Sequence, residues 1–226
     1  DKDTSRGLGD VYKRQPGEDE IRYVIRKQKT GKATNDVPMA YIKHSMGIKV
    51  FVEEICKLYT TIWQTKMIPT SWGHSKLVTL WKGPSKGKID DPKTYRGLQI
   101  GSTLCKILIM IIIGRIKTWY ESQLLDQQQG FRSKRGTSDG IFIVKSIQQI
   151  TSKMKKPTFA LFVDLSAAFD HVERSWMFKS IKNRLPEGFN LELVHLLESL
   201  YSNTTTALAE TPVSYTHLTL PTRKLV

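Results

Sequence analysis

The chain has only two cysteines, Cys56 and Cys105, far apart and in no metal-ligand spacing. That excludes a disulfide-stapled scaffold and a cysteine-rich zinc module, and leaves reduced core residues of an intracellular protein. Long apolar runs are missing as well. The longest, "ILIMIII" from Ile107 to Ile113, has seven residues, far short of the ~20 that a membrane span needs. No membrane partner is therefore expected. Acids are scarce in one stretch. Between Cys56 and Tyr120 there are eleven Lys/Arg and only Asp90 and Asp91 as acids. Such a stretch suggests a polyanionic partner, most simply nucleic acid, although a solvated lysine-rich surface gives the same count.

The full chain carries 35 Lys/Arg and 21 Asp/Glu over 226 residues, net +14. Its two ends look foreign to the rest. "DVYKRQ" near the start and "VSYTH" near the end can be encoded by one short DNA sequence read on opposite strands. Both resemble translated transposase adapters of the kind used to prepare sequencing libraries. Residues 1–15 and 213–226 are therefore expected to be adapter-derived tails, and the remainder an internal piece of a longer protein. Without the six Lys/Arg and three Asp of those ends, 29 basic and 18 acidic residues remain, net +11. The basic character belongs to the insert.

Local patterns predict a helix-rich α+β fold. Helices are expected over Glu18–Lys29, acidic at its start and basic at its end, and over Lys49–Lys66, where Phe51, Ile55, Leu58 and Ile62 recur at helical spacing. "SKLVTLW" (Ser75–Trp81) and "RGLQI" (Arg96–Ile100) read as strands of a hairpin with a long basic tip rich in Gly, Pro, Lys and Asp. A long helix over Thr103–Leu125 is expected to be capped near Ser102 and to turn Leu104, Leu108, Ile111 and Ile112 inward. Another helix follows over Gly136–Met154. A strand is expected at Thr158–Asp164, then helices over Ser166–Leu185 and Leu191–Tyr201. The sheet is expected to be small and antiparallel.

"FALFVDLSAAFD" (Phe159–Asp170) ends an apolar run on a bare aspartate. An unpaired buried carboxylate is costly and takes up a proton or finds a cation. At a strand end, Asp164 would project into a crevice, where Mg²⁺ is commonly held by one or two carboxylates plus substrate phosphates. The same position also suits a helix N-cap. On residue type alone both readings stand.

Three motifs in order carry a resemblance. "YRGLQIGSTLCKIL" (Tyr95–Leu108), "QQGFRSKRGTSD" (Gln128–Asp139) and "FVDLSAAFD" (Phe162–Asp170) resemble the reverse transcriptases of non-LTR, LINE-type retrotransposons. "IPTSWGHSKLVTLWK" looks like the strand entering that family's fingers hairpin, and "GKATNDVPMAYIK" like its N-terminal extension motif. The family more often has Pro-Gly where this chain has Thr34 and Asn35. The resemblance covers nearly all of residues 18–200 and implies a right-hand polymerase fold. It makes 16–157 the N-terminal extension and fingers, and 158–212 a partial palm. It implies an RNA-directed DNA polymerase that adds deoxynucleotides to a primer 3′-hydroxyl, with an RNA template, a DNA primer, deoxynucleoside triphosphates and two Mg²⁺ ions. The implied setting is a ribonucleoprotein in nucleus and cytoplasm.

The resemblance also implies roles. Asp164 would be the first catalytic carboxylate, with the Leu165 carbonyl as a further metal ligand. Phe169 would be a steric gate against a ribose 2′-hydroxyl, and Asp170 a structural acid paired with a basic residue. Arg96 would reach the incoming triphosphate, with Lys106 as a second candidate. Gly130, Phe131 and Arg132 would form a turn contacting template or nucleotide. The family's Tyr/Phe-Ala-Asp-Asp hairpin does not occur before Pro212, so this piece is expected to be inactive alone. A group II intron-type enzyme and a non-catalytic RNA-binding remnant of a decayed element remain alternatives.

Overall fold

The computed structural model describes residues 14–165, 168–185, 189, 191–202 and 204–209, with the side chain of Thr118 left aside. Residues 1–13 and 210–226, which take in most of the expected first tail and all of the second, and Ser166 and Ala167, where a helix was expected to begin, lie outside the described residues. In chain order the helices are α1 (Glu18–Lys27), α2 (Met39–Ser45), α3 (Lys49–Thr65), α4 (Thr103–Ser122), α5 (Thr137–Lys153), α6 (Arg174–Arg184) and α7 (Glu192–Tyr201). The strands are β1 (His74–Trp81), β2 (Tyr95–Ile100) and β3 (Thr205–Leu208). The chain divides into two compact units. One takes Asp1–Arg115 with Phe178–Val226, and the other takes Ile116–Met177.

The first unit forms around apolar helix faces. α1 begins with Glu18, Asp19 and Glu20 and ends with Arg26 and Lys27, charges that complement the helix dipole. Its Ile21 and Ile25 are buried, four residues apart on one face. α3 buries Val52, Ile55, Tyr59, Ile62 and Trp63, and stops where Lys66 turns left-handed at φ 58°. α4 buries Ile107, Leu108, Ile111 and Ile112 almost completely. The Tyr59 hydroxyl donates to the Leu104 carbonyl at 2.9 Å, which ties α3 to α4. Arg115 is buried on α4, where it forks onto Glu20 (2.9 and 2.6 Å) with its guanidinium 4.7 Å from the Trp63 ring centroid. A planar cation suits both the carboxylate and the ring face. Cys56 and Cys105 are free and half-buried.

β1 and β2 pair antiparallel, from Lys76 opposite Ile100 to Trp81 opposite Tyr95. The tip between them is locked locally. The Thr94 hydroxyl bonds the carbonyls of Lys88 (2.8 Å) and Asp91 (2.6 Å). Gly87, at φ +125°, sits where a Cβ would come within 2.6 Å of Thr94 Cγ2, so only glycine fits. β3 adds on the other side of β1 in parallel, His74 opposite Thr205 through Leu77 opposite Leu208. The sheet is thus mixed, in the order β2-β1-β3, rather than purely antiparallel. Local pattern could not show β3, because its partner is about 130 residues away.

The second unit departs from expectation. No strand forms over Thr158–Asp164; the segment is irregular and exposed, with Phe159 at 95%. A strand needs a neighbour for its backbone hydrogen bonds, and none is supplied there among the described residues. Residues 168–171 make a turn, and the helix expected from Ser166 begins only at Arg174. Asp164 therefore does not stand at a strand end. α5 forms as expected, yet none of its residues is buried.

The fully buried Leu108 of α4 contributes to the core of the first unit. Leu108→Ala is expected to cost about 2–5 kcal/mol in urea unfolding, while Phe142→Ala, on the exposed face of α5, should stay within about 0.5 kcal/mol.

Candidate nucleic-acid and nucleotide site

In the first unit the candidate cations ride on the hairpin and the helix that follows it. Arg96 lies on β2, opposite Leu80, with its side chain exposed. Among the described residues it has no hydrogen-bond or ion-pair partner, so its guanidinium is available to a ligand. Lys106 is half-buried in the first turns of α4. Burial, followed by the like charge of Lys32, pushes its amine below the ordinary lysine value. Lys88 lies beside Trp81, Pro84, Ile89 and Asp90 around an open depression at the hairpin tip.

One element of this region escaped the sequence reading. Asp36 accepts hydrogen bonds from the Ser102 hydroxyl (2.5 Å), the Thr103 amide (2.8 Å) and the Thr34 hydroxyl (2.7 Å). It caps α4 from a loop 66 residues upstream. Ser102 also caps as expected, its hydroxyl accepting from the Cys105 amide at 3.2 Å. Partial burial pushes the Asp36 carboxyl up, but the bonds from Ser102, Thr103 and Thr34 outweigh it and hold the group below its ordinary value. The signal in the sequence was a short polar run, "ATND", ahead of a helix. Nothing local says that it caps a different helix.

In the second unit, Asp164 and Leu165 lie in the exposed irregular segment after α5. The Asp164 carboxylate has no hydrogen-bond or ion-pair partner among the described residues. Gly130, Phe131 and Arg132 do form a turn. Its left-handed residue, however, is Phe131 at φ 58°, and open space surrounds the place where a Gly130 Cβ would be. The Phe131 ring, 87% exposed, meets the Phe169 ring, 80% exposed, edge to face at 6.2 Å between centroids. Arg132 turns inward: it donates to the Leu125 carbonyl at 2.8 Å and approaches Asp126 at 3.7 Å. Its guanidinium holds its own loop, which leaves Lys134, left-handed and exposed, as the outward cation of the turn. Asp170 has no basic partner among the described residues.

The match to known proteins agrees with the motifs. Residues 83–211 match the family model described as reverse transcriptase (RNA-dependent DNA polymerase). The chain belongs to the reverse transcriptase family. It is 30% identical over 127 residues to a 115 kDa protein in type-1 retrotransposable element R1DM of Drosophila melanogaster, across 54% of this chain and 12% of the relative. It is 27% identical over 144 residues to a protein named as an RNA-directed DNA polymerase from transposon BS of the same organism, across 62% of this chain and 16% of the relative. The chain thus spans less than a fifth of the length of either relative. Both names are those of transposable elements, in keeping with the LINE-type motifs of this reverse transcriptase fragment.

The family uses divalent metal ions. Among the described residues no three His, Cys, Asp or Glu side chains gather as a metal-binding group. The donors present, one free carboxylate at Asp164 and the adjacent Leu165 carbonyl, are hard oxygens. They fit a hard cation in kind and supply part of a coordination shell. No helix among the described residues is long and apolar enough to cross a membrane.

The Asp36 carboxyl gives a pH test. Its folded value lies below its unfolded one, so its contribution to stability is present above about pH 4 and disappears as pH falls through the folded value. Thermal unfolding followed from about pH 6 to about pH 3 should show a steeper acid loss in the native chain than in Asp36→Asn. Equal slopes would mean that the capping bonds do not form.

Proposed function

We propose that the chain is part of an RNA-directed DNA polymerase of a LINE-type retrotransposon, one that extends a DNA primer on an RNA template. One observation carries the reading. The family match over 83–211 contains, in order, Arg96, the Gly130–Arg132 turn, Asp164 and Phe169. Residues 16–157 are read as N-terminal extension and fingers, and 158–212 as early palm. The whole protein is read as intracellular, moving between cytoplasm and nucleus as a ribonucleoprotein.

Each residue has a task that its chemistry suits. The Asp164 carboxylate and Leu165 carbonyl would hold magnesium. Magnesium, two ions in the complete enzyme, would supply activation of the primer hydroxyl and neutralisation of charge on the leaving pyrophosphate. Arg96 offers a planar fork to the triphosphate oxygens, and Lys106 adds a point charge. Burial, and then the like charge of Lys32, disfavours the charged Lys106 amine, and a phosphate anion beside it would favour that charge. Phe169 presents a ring where a sugar 2′-hydroxyl would otherwise fit, which discriminates by exclusion. Its contact with Phe131 supports that ring from the side. Gly130, Phe131 and Lys134 would approach template or nucleotide, with Arg132 keeping the turn in shape. Asp170 takes a structural or solvent-facing role.

Two metals need more than one carboxylate, and among the described residues no three His, Cys, Asp or Glu side chains gather to hold them. The 226-residue chain is therefore expected to show no primer extension with an RNA template and Mg²⁺. It should still bind RNA, with affinity falling steeply as salt rises. A longer chain that includes the downstream Asp-Asp hairpin should extend primers, and Asp164→Asn in it should reduce the rate about 1,000-fold or more. Extension by the 226-residue chain, or an unaffected Asp164→Asn, would count against the assignment.

A further inference from the structure

We propose that Thr34-Asn35-Asp36 is a clasp that sets the aim of the hairpin carrying Arg96, with Asn35 and Asp36 as positioning residues. The proposal deepens the nucleotide-binding reading of Arg96 and rests on it. Asn35 grips both strands at the open end of the hairpin. Its side-chain amide donates to the carbonyl of His74, the first residue of β1, at 3.1 Å. Its backbone amide donates to the carbonyl of Gly101, just past β2, at 3.3 Å. Asp36 then takes the next two residues, Ser102 and Thr103. Thr34 closes the set, its hydroxyl bridging Asp36 (2.7 Å) and the Thr103 hydroxyl (2.5 Å). Three successive residues of one loop thus hold the start of β1, the end of β2 and the first turn of α4.

The need for a clasp is visible at Gly101. Nothing lies within 4 Å of where its Cβ would be, so the β2–α4 junction has a glycine with free space around it. A two-stranded ribbon is weakly stable by itself. The direction of its tip depends on what holds its base. β3 steadies the β1 side, with the His74 ring 2.7 Å from the Thr205 hydroxyl. The β2 side, which carries Arg96 five residues before Gly101, is steadied by Asn35 and Asp36.

The test uses the full 226-residue chain. Amide hydrogen exchange and the affinity for a magnesium deoxynucleoside triphosphate, by calorimetry, would be compared in Asp36→Ala, Asn35→Ala, Asp36→Asn and Arg96→Gln. Asp36→Ala and Asn35→Ala are expected to raise exchange about ten-fold at both strand ends, residues 76–78 and 98–103, and to weaken triphosphate binding about three- to ten-fold. Asp36→Asn keeps an acceptor for the Thr103 amide and should recover part of both. If Asp36→Ala fails to fold, Asn35→Ala alone decides. Faster exchange confined to residues 103–105 would reduce Asp36 to a plain helix cap and overturn the clasp. So would binding lost in Arg96→Gln but untouched in the clasp variants. Unchanged binding in Arg96→Gln overturns the nucleotide role of Arg96 instead, while the exchange pattern still decides the clasp.

Discussion

The first unit depends on burying one face of α4. Ile107, Leu108, Ile111 and Ile112 lose nearly all contact with water. Each fully buried aliphatic side chain contributes on the order of 1.5–3 kcal/mol. Removing that face from water fixes α4 against the helices that precede it. Once α4 is fixed, its first turn becomes a stable platform. The hairpin that precedes it in sequence inherits a direction from that platform. Arg96 is thus held by a chain of dependence: apolar core, helix start, strand, guanidinium.

Polar bonds complete what the core begins. Hydrophobic burial is not directional, so it can place a helix without fixing the angle of an exposed ribbon beside it. Asp36, Asn35 and Thr34 supply directional contacts at that joint. Arg115 does a similar task farther along α4, tied to Glu20 and stacked near Trp63. In the second unit the balance is reversed. Arg132 is spent on its own loop, and the apolar side chains of α5 and of residues 159–165 remain exposed. This unit presents its candidate site residues on irregular backbone, with little packing behind them.

Much of the fold was legible in local pattern. α1, α3, the hairpin, α4, α5 and α7 were found within a few residues, because each rests on periodicity, charge at the ends or a stop signal. The family was legible as well, from three motifs whose order matters more than any one of them. The strand at 158–164 failed for a physical reason. Phe159, Leu161 and Val163 give the apolar run of a buried strand, but a strand is completed by neighbours, and pattern does not say whether a neighbour is there. β3 failed in the opposite sense: four exposed residues with little apolar signal became a strand because β1 offered an edge.

The sequence by itself determined most of the helices, though not α2 or the start of α6, along with the basic hairpin, the order of the motifs and hence the family. Those properties are written in spacing and residue type along a short stretch of chain. Only the tertiary structure decided that Asp36 caps a helix 66 residues away, that Arg132 faces inward, that Phe131 meets Phe169 and that β3 joins β1. Each of these is a contact between segments distant in sequence or a choice among rotamers. Such choices are settled by which partner packing brings within a few ångströms, and no local pattern encodes that distance.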